Sequence, residues 1–101
     1  MKYSRIPHTL NVGFQIMEES KFRFAENVLL GLVHRSEDPL EPGTNLAVKV
    51  GVLSLSGAIE VPMKVIKCQK VSEGEFDIYL NYTENDFSKI EKLEELIRDL
   101  A

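Results

Sequence analysis

Few residues in this 101-residue chain are of a type and spacing that could do chemistry. Ser56, in LSLSGAI, is the nearest approach to a nucleophile on a turn. A nucleophile elbow needs a glycine two residues earlier, which is missing, so Ser56-Gly57 reads as a hairpin turn. His8, His34 and Cys68 are the natural zinc ligands, but their spacing matches no ligand pattern. Cys68 reads as a small buried hydrophobe, and His34, beside Arg35, as a residue at a solvated strand end. Glu18 and Glu19 are adjacent, so in a strand they point to opposite faces and form no acid–base pair. The glycines are dispersed and match no phosphate loop or dinucleotide fingerprint. These observations point away from an enzyme and from a bound cofactor. Arg5, with Lys2 near it, is different. A guanidinium forks onto phosphate oxygens or onto the O6/N7 edge of guanine, although a lone terminal arginine also reads as a plain solvated charge.

Composition sets the frame for those residues. Hydrophobic residues make up 44% and charged residues 28%, a balance suited to one folded domain over residues 1–101. Twelve Lys and Arg against 16 Asp and Glu leave a net charge of −4, which argues against a general nucleic-acid binder. The longest apolar-rich run, Leu46 to Leu55, is broken by Lys49 and too short to span a membrane. MKYSRIPHTL has no continuous apolar core of the signal-peptide kind, and a single cysteine fits a reducing compartment. The expectation is a cytoplasmic protein.

The elements that would position these residues are mostly strands. Leu10, Val12, Phe14 and Ile16 share one parity, as do Leu46, Val48, Val50 and Val52. Ile59, Val61, Met63 and Val65 form a return strand, with a phase switch at Ile66 and Cys68 that reads as a bulge. A second switch, at Leu53 and Leu55 beside Gly51, reads the same way. SEGE is a turn, and Phe76, Ile78, Leu80 and Tyr82 alternate against Asp77, Tyr79 and Asn81. Between Phe22 and Leu32 the alternation is disturbed at Glu26. From Phe87 the period becomes helical, through Ile90, Leu93, Leu96, Ile97 and Leu100. Thr83 with Asp86, or Ser88 with Glu91, can cap it, and Glu94 can pair with Arg98. Long bent strands predict a curled sheet or barrel over about residues 8–82, followed by a helix over about 85–100. The helix's apolar stripe covers one end of the barrel or docks onto a partner or a second copy.

The order of these features resembles the PilZ domain family, bacterial receptors for cyclic di-GMP. A basic stretch precedes Val12-Gly13-Phe14, followed by AENVLLGLV, Leu40-Glu41-Pro42-Gly43-Thr44 leading into Leu46-Ala47-Val48, a long hairpin, EFDIYLNY and the helix. The resemblance implies a mainly β fold: a six-stranded antiparallel PilZ-like β-barrel with a C-terminal α-helix. The family's ligand motifs are RxxxR before the first strand and [D/N]xSxxG in the following turn. Arg5 aligns with the second arginine, while the first falls on Met1 and leaves Lys2 as the nearby cation. Asn27 matches its position, Leu29 stands for the serine and Leu32 for the glycine. Gly31 lies one residue early, where family members often carry a glycine too.

What the resemblance implies about function follows from those departures. The ligand set reduces to Lys2, Arg5, Asn27 and Gly31, and leucine offers no hydrogen bond to a nucleotide. Each lost charge-assisted bond removes ~1.5–3 kcal/mol. The expectation is a regulatory or adaptor module of cyclic di-GMP or type IV pilus and motility signalling, acting on a protein partner with weak or no nucleotide binding. Leu29 and Leu32 then lie on a filled-in turn, either packed into the barrel or exposed as partner-binding candidates. The alternatives are a genuine cyclic di-GMP receptor, in which Arg5, Lys2 and Asn27 suffice or a second subunit of a homodimer supplies the missing cations, and an OB-like oligonucleotide-binding barrel. The latter is disfavoured by the acidic charge and by the lack of an aromatic row on one strand face.

Overall fold

Alternation becomes strand wherever one parity can be buried, and the described residues of this chain form six strands ahead of a helix. The computed structural model describes residues 2–17, 27–52, 58–83 and 86–100. Its elements are β1 (Lys2–Arg5), β2 (Asn11–Ile16), β3 (Asn27–Ser36), β4 (Asn45–Gly51), β5 (Ile59–Ser72), β6 (Glu75–Tyr82) and α1 (Phe87–Leu100). They form one six-stranded sheet in the order β1-β3-β6-β5-β4-β2.

The fold is mainly β, but the expected antiparallel barrel is corrected in two respects. Lys2–Arg5, read as a basic stretch ahead of the first strand, is itself an edge strand, and it pairs parallel to β3. Among the described residues no ladder joins β1 to β2, so the sheet stays open. It nevertheless curls strongly. β2 and β3 lie four steps apart in the strand order, about 19 Å in a flat sheet at ~4.8 Å per step. Yet the rings of Phe14 on β2 and His34 on β3 meet edge to face, 5.2 Å apart.

The curl has a visible cause. Val65 pairs with Leu80 and Lys67 with Tyr79, which leaves Ile66 as the extra residue of a bulge. This is the phase switch legible at Ile66 and Cys68, and it turns Cys68 back toward the core beyond the bend. The β5–β6 hairpin closes on Glu73-Gly74 between the paired Ser72 and Glu75, with Gly74 at φ 73°. Only glycine adopts that left-handed conformation without steric cost. The turn expected at Ser56-Gly57, the second phase switch at Leu53 and Leu55, and the acids Glu18 and Glu19 lie outside the described residues.

Inside the curl the even or odd parity of each strand supplies the core. Leu46, Val48 and Val50 of β4 meet Val61, Met63 and Val65 of β5 and Ile78, Leu80 and Tyr82 of β6, all buried. α1 lies over β5 and β1 and adds Ile90, Leu93 and Ile97, while Phe87 and Leu100 at its ends stay exposed. Its N-cap is Asp86: Oδ1 accepts the N–H of Ser88 at 3.0 Å and of Lys89 at 3.4 Å. The expected boxes, Thr83 with Asp86 and Ser88 with Glu91, give way to this single carboxylate. Thr83 instead donates its N–H to the Pro62 carbonyl at 3.1 Å. Glu94 also departs from the expected pairing with Arg98. Its carboxylate takes Ser4 Oγ at 2.7 Å and the Tyr82 hydroxyl at 3.2 Å, tying the helix to β1 and β6. Burial first, and then the Glu94 carboxylate, raise the pKa of the Tyr82 hydroxyl well above the ordinary phenol range.

Candidate functional site

The outward parity of β1, β3, β6 and β5 gathers polar groups on one face of the sheet. Asp77, Tyr79 and Asn81 point outward from β6, opposite in parity to Ile78, Leu80 and Tyr82. The ladders place Arg35 beside Asp77, Val33 beside Tyr79 and Gly31 beside Asn81, and then Arg5 beside Val33 and Tyr3 beside Gly31. On the other flank Lys67 stands beside Tyr79. Residues from four strands, spread over most of the chain, thereby form one cluster.

Its centre is ionic. Arg5 Nη1 and Nη2 each donate to Asp77 at 3.1 Å, in the forked geometry that suits a carboxylate. Arg35 Nε donates to the same Oδ1 at 2.8 Å, and its Nη1 donates to Glu75 at 2.8 Å. Asp77 is only 8% exposed, whereas both arginines present about half of their side chains to solvent. The Arg5 and Arg35 hydrogen bonds together hold the Asp77 carboxyl at a pKa of about 2. Beside this network the rings of Tyr3 and Tyr79 meet edge to face at 5.2 Å, and Lys67 Nζ sits 5.4 Å above the Tyr79 ring. The Tyr3 hydroxyl donates to Asn81 Oδ1 at 2.8 Å, which satisfies an amide that is 2% exposed. Among the described residues no buried side-chain polar atom lacks a partner.

The structure both joins and reassigns the residues singled out by sequence. Lys2 and Arg5 are brought alongside the second motif, since β1 pairs Lys2 with Leu30 and Arg5 with Val33. Arg5 is engaged by Asp77 rather than left as a solvated charge. Gly31 is a seat for an aromatic ring. A Cβ at this position would lie 2.5 Å from Tyr3 Cε1 and still closer to the Leu80 carbonyl oxygen. Leu32 is 0% exposed within the core, which corrects its reading as a surface contact: its parity is inward, between the outward Gly31 and Val33. Asn27 opens β3 opposite Tyr82, and a register irregularity lies between Asn27 and Gly31, close to the disturbance read at Glu26. The side chains of Lys2, Asn27 and Leu29 lie outside the described residues.

His34 is likewise corrected. Its inward parity packs it against Phe14 instead of leaving it in solvent. Burial first, and the Arg5 charge second, lower its pKa below 6.5. His8 is exposed and Cys68 half-buried. Among the described residues no three His, Cys, Asp or Glu side chains converge as metal ligands. No described helix is long and apolar enough to cross a membrane.

Sequence reasoning missed Tyr3, Arg35, Lys67 and Asp77. The available signal was the outward set Asp77, Tyr79 and Asn81 in a strand whose other parity is fully apolar. In comparisons with protein-family models, curated proteins and solved structures, nothing matches this chain.

Proposed function

We propose that this chain is a non-enzymatic interaction module. On this reading it acts in the cytoplasm through the outer face of its sheet, in bacterial regulation of the kind that its PilZ resemblance implies, and has weak or no affinity for cyclic di-GMP. The observation that carries this reading is the forked pairing of Arg5 with Asp77. A nucleotide phosphate would have to draw that guanidinium away from an internal carboxylate. Hydrogen bonds to charged groups contribute ~1.5–3 kcal/mol. Discounted for a guanidinium half in solvent, forfeiting its pairing with Asp77 costs on the order of tenfold in affinity. Leucine at positions 29 and 32 adds nothing polar in return.

The receptor reading has one observation in its favour, the adjacency of the two motif-bearing strands β1 and β3. Calorimetric titration with cyclic di-GMP separates the two. The interaction-module reading expects no saturable heat below about millimolar ligand, the affinity left after several lost contacts. A low-micromolar dissociation constant that Arg5→Ala abolishes would establish the receptor instead.

A further inference from the structure

The outer face carries opposite charges side by side, and we propose that it is a self-complementary docking surface for a second copy of this chain. Its cationic half surrounds Tyr79 and the nearly buried Val33 with Arg5, Arg35 and Lys67, with Asp77 lying between the two arginines. Its acidic half lies at the hairpin end of the same strands. There Glu37, Asp38, Glu73 and Glu75 line an open hollow of about 700 Å³ together with Arg35 and Gly74. Lys70 pairs with Glu73, and Arg35 with Glu75. Glu37 and Asp38 have no ion-pair partner among the described residues. Tyr79 and Glu75 stand four residues apart on β6, about 13 Å along a strand, so the two halves abut at Arg35.

Adjacent halves of opposite sign define the occupant. A two-fold axis lying in the face and running across the strands along their border sets the cationic half of each copy on the acidic half of the other. That isologous arrangement satisfies both halves at once and closes as a dimer. Tyrosine and arginine at the centre are the residue types that dominate binding energy, with exposed carboxylates supplying the complement. A polyanion such as single-stranded nucleic acid fits less well, because a strand laid along β6 over Lys67 and Tyr79 would run into four carboxylates. The proposal goes beyond the functional reading above: the dimer stands or falls whether or not cyclic di-GMP binds.

Sedimentation velocity on the full chain tests it, with charge reversal at two exposed positions. Lys67 lies outward on β5, and Glu73 is 94% exposed on its side chain, so Lys67→Glu and Glu73→Lys leave the core untouched. The expected result is a dimer at about 20 mM salt that is at least tenfold weaker at about 500 mM, where the Debye length is short. Each variant alone should be at least tenfold weaker than wild type. An equimolar mixture of the two should regain the dimer, because the new carboxylate at position 67 of one copy then faces the new ammonium at position 73 of the other. A monomer throughout at low salt, or a dimer indifferent to both substitutions, would overturn the proposal. So would a mixture no tighter than its components, or saturable single-stranded oligonucleotide binding that Lys67→Glu removes.

Discussion

Asp77 accepts hydrogen bonds from two arginines that stand 72 and 42 residues away in the sequence, and this one carboxylate joins β1, β3 and β6. Because its folded pKa is lowered to about 2, its contribution is present above 3.8 and is lost as pH falls toward 2. Asp77→Asn should therefore cost about 1–2 kcal/mol at neutral pH, a charged-bond value discounted for arginines half in solvent. Chemical denaturation at several pH values checks this: the gap between variant and wild type should be wide above pH 4 and close toward pH 2. His34 acts in the same sense at higher pH. Its folded pKa lies below 6.5, so stability is full above 6.5 and declines as pH falls through the folded value. His34→Gln should flatten the melting temperature of wild type between about pH 7 and 5, the range in which histidine titrates. An equally steep decline in the variant would place the titration elsewhere. Arg5 was legible in the sequence as a special cation, and the outward polarity of positions 77, 79 and 81 was legible from alternation. Their pairing was not, because parity says which face a residue takes and never which strand lies beside it.

At the scale of elements, changes of period and turn residues carry over from sequence to structure. The capping boxes and the Glu94–Arg98 pair do not, because Asp86 caps the helix and Glu94 is drawn to Ser4 and Tyr82. The bulge at Ile66, the Glu73-Gly74 turn and the stripe Ile90, Leu93, Ile97 all follow from a change of period or a turn residue. β1 was not legible: four residues give too little alternation, and its parallel partner β3 is set by tertiary packing. Gly31 shows how tightly that packing is made. Gly31→Ala would push a methyl group into the Tyr3 ring and the Leu80 carbonyl, and should cost ~1–3 kcal/mol as overpacking does. The measurement is denaturant unfolding of Gly31→Ala alongside the double variant Gly31→Ala/Tyr3→Ala. Removing the ring should recover part of the loss. No recovery would assign the strain to the β6 backbone alone.

For the molecule as a whole, the central claim is that a curled, open sheet presents an outer face whose arginines, Arg5 and Arg35, are already matched within the chain by Asp77 and Glu75. The mainly β class and terminal helix follow from sequence patterning, but the open edge does not, since strand order and closure depend on contacts between residues far apart. Phe14 against His34 brings the two sides of the sheet together without a ladder, and Glu94 fixes the helix across Ser4 and Tyr82. A face satisfied in this way binds what complements its pattern, not a lone phosphate. Amide-resolved NMR during a cyclic di-GMP titration tests that claim most directly, with Tyr3, Arg5, Gly31 and Arg35 as reporters. The account predicts that their signals stay in place up to about millimolar nucleotide. Saturable shifts at those residues with a low-micromolar midpoint would contradict it.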